Sequence, residues 1–204
     1  LVDYILTVAV SVASGVDNII SALPGLDPWR VELAVGFVVL IILVNLRGVR
    51  EASTAFAIPT YLFIGSVLLM IATGLVRWML GDAPIAESAQ FAVQAEDLSQ
   101  AAVILLILRA FSSGCSALTG VEAVSNGVPA FRKPKVRNAQ TTLVLMGSIA
   151  IIMFAGLTLL ALVAGVHYAE NPCNLIGFDC KAAVQPSLMA QVAAATFGNG
   201  SILF

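Results

Sequence analysis

Charge is scarce in this 204-residue chain. Lys, Arg, Asp and Glu together make up 11% of it, where soluble domains carry roughly a quarter, so a globular fold with a solvated surface all round is excluded. Histidine occurs once, at His167, and cysteine three times, which leaves no paired ligand spacing for a zinc centre. H-E-x-x-H, G-x-S-x-G, the P-loop and the haem-attachment signature are all absent, so the enzyme classes built on them have no footing. No basic tract is long enough to follow a phosphate backbone, and nucleic acid is not an expected partner. What fills the chain instead is hydrophobic residues, at 59%, with a mean hydropathy of +0.98. That composition belongs to an integral membrane protein whose partner is the lipid bilayer.

Hydropathy divides the chain into six spans, over residues 1–23, 31–46, 54–80, 101–131, 141–166 and 187–204, the last incomplete. Pro24-Gly25 and Asp27-Pro28 mark the first loop, since neither pair continues a helix. The loop at 45–53 carries Arg47 and Arg50, and the loop at 131–140 carries Arg132, Lys133, Lys135 and Arg137; both are expected to face the cytoplasm. The alternate loops hold Asp27, then Asp82, Glu87, Glu96 and Asp97, then Glu170 and Asp179, with Arg30 and Lys181 as their cations. Two basic loops separated by two spans satisfy strict alternation. The first span then runs from inside to outside and the fourth from outside to inside. The chain opens at Leu1 without methionine and closes at Phe204 within an apolar stretch, so it is expected to be a piece of a larger protein.

The fourth span holds the main chemical signal. Residues 101–131, if wholly helical, would reach about 46 Å, beyond the ~30 Å hydrocarbon core. The run Ser112, Ser113, Gly114, Cys115, Ser116, Thr119, Gly120 interrupts it, and Gly114, Cys115, Ser116 and Gly120 are expected to supply unwound backbone. Unsatisfied backbone at membrane depth is tolerated only inside protein or around a cavity. Glu122 follows the break, with Thr119 three residues earlier on the same helical side. An ion pair with Arg109 is the structural alternative for Glu122. As a working group, a carboxylate kept from water could take up and release a proton during a transport cycle.

On the first span, Asp3, Thr7, Ser11, Ser14 and Asn18 follow at steps of 4, 4, 3 and 4 and so share one helix face. The stripe suits a hydrated pathway, while Ser11-x-x-x-Gly15 equally suits close helix packing. Asp3 is the costliest member, because a carboxylate at the bilayer centre costs about 2.5–3.5 kcal/mol even on the mildest scale. It lies near mid-membrane if the span ends near Val16, and near the cytoplasmic interface if it ends at Leu23. Cys173 and Cys180 share one external loop, where a disulfide or two free thiols are both compatible with the spacing. A membrane aspartyl enzyme would need facing carboxylates, and nothing in the local pattern around Asp3 and Glu122 favours one.

Three segments carry a resemblance: DYILTVAVSVASGV from Asp3, NLRGVREAS from Asn45, and GCSALTGVEAVSNGVPAFRKPKVRNAQTTL from Gly114. They are similar to the amino acid, polyamine and cation transporter superfamily, and within it to the KimA-like potassium importers of the KUP group. The resemblance implies an all-α integral membrane protein with the LeuT-type inverted-repeat fold. Residues 1–204 would then be a partial transporter domain covering about helices 3 to 8, with the broken span as helix 6. It further implies an Asp-Tyr-x-x-Thr motif at Asp3, Tyr4 and Thr7 and a Thr-x-x-Glu motif at Thr119 and Glu122. Together these would surround a potassium ion, with Glu122 and Asp3 as candidates for proton coupling. Carboxylates, hydroxyls and unwound carbonyls are suitable ligands for a hard monovalent cation.

The expected activity is therefore secondary active transport, a proton-coupled potassium symport by alternating access in a bacterial plasma membrane. No cofactor is expected, and any homodimer would form through parts outside this chain. An amino acid permease of the same superfamily is the first alternative, although a carboxylate at the site would repel a substrate carboxylate. A non-transporting membrane scaffold or receptor is the alternative from another class.

Overall fold

The computed structural model describes residues 2–94, 99–116, 119–169, 171–179 and 184–198. The described chain is mostly helical: α1 (Val2–Ala22), α2 (Arg30–Leu46), α3 (Val49–Met79), α4 (Gln100–Ser116), α5 (Thr119–Asn126), α6 (Lys135–Val163) and α7 (Leu188–Phe197). Four stretches are long and apolar enough to cross a bilayer, namely Tyr4–Ala22, Pro24–Leu46, Ser53–Met79 and Lys135–Val163. The helix boundaries follow local chemistry. Pro24 opens a 3-10 turn ahead of α2, and Gly48, at φ 122°, separates α2 from α3 in a conformation that side chains disfavour. Pro59 sits inside α3 without ending it, as membrane helices tolerate. α6 starts six residues earlier than the apolar run, so Lys135 and Arg137 form its first turn. Lys135 Nζ there donates to the Pro129 carbonyl at 2.6 Å, and Asn138 Nδ2 to that of Arg132 at 3.0 Å.

Two compact units divide the chain, one of residues 1–9 with 95–152 and the other of residues 10–94 with 153–204. In the second unit the core is Val67, Met70 and Ile71 of α3, Leu160 of α6 and Val192 of α7. Its α3–α6 contact is reciprocal. A Cβ on Gly74 would lie 2.6 Å from Leu160 Cδ1, and one on Gly156 would lie 2.8 Å from Ile71 Cγ2. Each helix therefore offers a glycine to the other's branched side chain, the small-residue device by which membrane helices approach closely. On α1 this unit buries Val16 and Ile20, each 1% exposed, rather than the polar stripe.

Besides the helices, the loops carry a short antiparallel ribbon, β1 (Ala92–Val93) with β2 (Leu175–Ile176), in register Ala92↔Ile176 and Val93↔Leu175. Two loops outside the helices satisfy each other's backbone there, with Gln94 N–H adding a bond to the Asn174 carbonyl at 3.0 Å. Within the sixth expected span, 187–204, α7 covers Leu188–Phe197 and is followed by Gly198 at φ 87°; residues 199–204 lie outside the described ones.

The ends of α7 explain its placement. Ser187, its N-cap, donates from Oγ to Asn18 Oδ1 at 2.7 Å, while its N–H donates to Ser21 Oγ at 2.8 Å. Both partners belong to the last turns of α1. At the other end, Arg77 Nη1 donates to the carbonyls of Ala195 at 3.2 Å and Thr196 at 2.7 Å. Arg77 lies in the last turn of α3. Both ends of α7 are thus held at the C-terminal ends of α1 and α3.

Candidate functional site

Within the first unit, α1 and α5 bring three polar side chains together. Tyr4, in the first turn of α1, points its hydroxyl at Glu122 Oε1, 3.5 Å away at the outer limit of a hydrogen bond. The same hydroxyl accepts from Asn126 Nδ2 at 3.1 Å. Glu122 and Asn126 are four residues apart on α5, so they stand on one helix face. A phenol that accepts an amide N–H from one side can direct its own O–H to a carboxylate on the other. Tyr4 is 41% exposed, and Glu122 and Asn126 are exposed as well. The carboxylate therefore keeps open acceptor capacity for a donor or a cation.

The other expected residues are placed as follows. Asp3 has helical backbone in the first turn of α1, and Thr119 opens α5; the side chains of Asp3, Thr119, Cys115 and Ser116 lie outside the described ones. α1 runs on to Ala22, 19 residues past Asp3, or about 28 Å of helix. Thr7 is half-buried on α1. Asn126 was not singled out by the sequence reading, although its i+4 spacing from Glu122 is the signal that would have found it.

The residues expected to supply unwound backbone are placed as follows. Gly114, Cys115 and Ser116 form the end of α4, and Gly120 lies in the first turn of α5. Residues 117 and 118, between the two helices, lie outside the described residues. An isolated glycine costs a helix only about 1 kcal/mol relative to alanine, and serine less, so a run of small residues permits a break without forcing one. Gly120 has a packing use: a Cβ there would touch Met146 Cε of α6 at 3.7 Å.

In the loop after α6, Cys173 is disulfide-bonded, while Cys180, its expected partner, lies outside the described residues. His167 is occupied, with Nδ1 at 2.6 Å from the Phe91 carbonyl. A carbonyl only accepts, so Nδ1 carries the proton. Asp17, at the outer end of the polar stripe, forms an ion pair with Arg30, which also holds Asp27 at 3.0 Å.

Comparison with known proteins gives the arrangement a family. A family model described as amino acid permease matches residues 1–203. The chain belongs to the amino acid permease family. It is also 42% identical over 201 residues to the potassium transporter KimA of Bacillus subtilis (strain 168), a match covering 98% of this chain. The chain spans 30% of the length of that relative. As a member of this permease family with four bilayer-length apolar helices, it is a multi-pass membrane protein. Family membership also accounts for the scarcity of charge and for an exposed apolar surface as large as that of α2, in which no residue is buried.

Proposed function

We propose that this chain is part of a secondary active transporter that takes up potassium, coupled to protons, by alternating access. The observation that carries the reading is its 42% identity across nearly its whole length to a potassium transporter. The chemistry of the α1–α5 cluster supports it, because Tyr4 and Glu122 offer a hydroxyl and a carboxylate together. A hard monovalent cation favours such oxygen donors. On this reading Asp3, Tyr4, Thr7, Thr119 and Glu122 hold or steer the cation, and Asn126 orients Tyr4. Glu122 or Asp3 carries the coupled proton. The LeuT-type inverted repeat, with this chain as about helices 3 to 8, is the architecture that goes with it. No Lys or Arg lies in the described cluster to receive a substrate carboxylate, which disfavours an amino acid as the cargo.

The test is rubidium and potassium uptake by the full-length protein in a strain dependent on added potassium. Glu122→Gln and Asp3→Asn should each abolish uptake while the protein still reaches the membrane. Normal uptake in both variants would remove the site assignment. Uptake of an amino acid with no cation uptake by the unmodified protein would remove the potassium reading.

A further inference from the structure

The segment that joins α5 to α6 carries four cations in six residues, Arg132, Lys133, Lys135 and Arg137. No Asp or Glu lies between Glu122 and Glu170 in the sequence, and among the described residues none of the four cations makes an ion pair. All four are exposed, as is Val136 between the last two. The backbone that presents them is held in place. Lys135 Nζ donates to the Pro129 carbonyl, Asn138 Nδ2 to that of Arg132, and Asn138 N–H to that of Pro134 at 3.1 Å. Lys135 commits one of its three N–H donors in this way and keeps two.

α6 fixes the depth of this patch. Its 29 residues, Lys135–Val163, reach ~43 Å, about 13 Å more than the hydrocarbon core of a bilayer. No Lys, Arg, Asp or Glu follows Arg137 before Glu170. Lys135 and Arg137 therefore stand at one end of a bilayer-length apolar helix, where long cationic side chains lay their stems along the acyl boundary and place their heads among lipid phosphates. The first turn of a helix favours an anion, yet α6 has no acid there, so negative charge has to come from outside the helix. We propose that Arg132, Lys133, Lys135 and Arg137 form a docking site for the headgroup of an anionic phospholipid, whose acyl chains run beside Val136 and along α6. Guanidinium groups match phosphate oxygens in bidentate geometry, and a patch fixed at headgroup depth selects a lipid over a soluble phosphate. The site shares no residue with the α1–α5 cluster and does not depend on the nature of the transported ion.

The experiment uses the full-length protein, stripped of lipid in a neutral detergent, with hydrogen exchange over residues 128–138 followed as short-chain lipid is added. Dioctanoyl phosphatidylglycerol should slow exchange there, and dioctanoyl phosphatidylcholine at the same concentration should not. Inorganic phosphate and glycerol phosphate separate a lipid site from a soluble-anion site, and neither should protect the segment at concentrations where the lipid does. Arg132→Gln, Lys133→Gln and Arg137→Gln combined should weaken phosphatidylglycerol binding by at least about tenfold, since each cation near an anionic lipid is worth about fivefold in affinity. Raising the salt about tenfold should weaken binding to the unmodified protein as well, which tests the contribution of charge even if the triple variant does not fold. Equal protection by phosphatidylcholine, protection by either soluble phosphate, or binding that neither the variant nor the salt alters would each overturn the proposal.

Discussion

Replacing Arg77 by Met should release the last turn of α7. The final carbonyls of a helix have no intrahelical donor. Gly198 N–H reaches back to Ala194, while the Ala195 and Thr196 carbonyls are taken by one guanidinium nitrogen. Two bonds from a charged donor would contribute about 3 kcal/mol or more if fully buried, but the Arg77 side chain is 36% exposed, and about 2 kcal/mol is a fair local figure. Methionine keeps most of the aliphatic stem and removes only the donors. The opening equilibrium of α7 should then rise roughly 30-fold, at 1.36 kcal/mol for each factor of ten. Hydrogen exchange on the full-length protein reads this directly, with faster exchange at 192–198 and little change in the middle of α3. Asp82, the other partner of Arg77 at 2.9 Å, is 74% exposed. Such a pair contributes below about 1 kcal/mol, so Asp82→Asn should accelerate exchange less than about fivefold. If Arg77→Met leaves α7 exchange within about twofold of the parent, the Arg77 cap does not hold the last turn of the helix.

Three further outcomes follow from other contacts. Gly156→Ala should lower stability by about 1–3 kcal/mol through overpacking against Ile71, and adding Ile71→Ala should restore part of the loss, a coupling that thermal denaturation of the two single variants and the double variant detects. Tyr4→Phe and Asn126→Leu should each raise the KM for rubidium uptake by about fivefold, the worth of one neutral hydrogen bond of about 1 kcal/mol. The double variant should be no worse than Tyr4→Phe alone, since that change already removes the Asn126–Tyr4 contact; additive effects would show that the residues act separately. Cys173→Ser should expose a thiol that an impermeant maleimide labels on intact cells, and absence of new labelling would refute either the external position of that loop or its bond to Cys180.

Spanning helices were legible because each is a long apolar run closed by Pro, Gly or charge, and the bilayer leaves helix as the outcome for such a run. α2 shows this plainly, since its boundaries moved by one residue at the start and none at the end. The initiation of α6 was less legible. Lys135, Val136 and Arg137 read as loop by hydropathy, yet Lys135 and Arg137 are sound helix formers, and hydropathy measures where a segment sits rather than when it begins to coil. The ribbon at Ala92–Val93 and Leu175–Ile176 was beyond reach, because two-residue strands separated by more than 80 positions leave no periodicity to find.

α7 and the run of small residues after α4 show where composition stops being informative. Apolar composition near Val192 reports burial, and burial under loops at the helix ends is indistinguishable from burial in lipid when only hydrophobicity is counted. Length and end chemistry separate the two: Ser187 has a serine and an asparagine of α1 to bond, and Gly198 stops the helix after ten residues. The small residues at 112–120 raise the mirror problem. Serine and glycine lower the cost of leaving a helix by at most about 1 kcal/mol each, so the sequence states where a break is cheap and not whether it is occupied. The contact that makes the α1–α5 cluster chemically coherent was therefore legible through the polar groups themselves. Tyr4 and Glu122 are unusual residues for an apolar span, and Asn126 follows once a helical spacing of four is allowed from Glu122. Placing a phenol between an amide and a carboxylate has a consequence no single residue carries: the hydroxyl proton is directed at the group that would otherwise meet a cation alone. If the cluster holds a cation as proposed, loss of the Asn126 donor should disturb uptake even though Asn126 need never touch the ion.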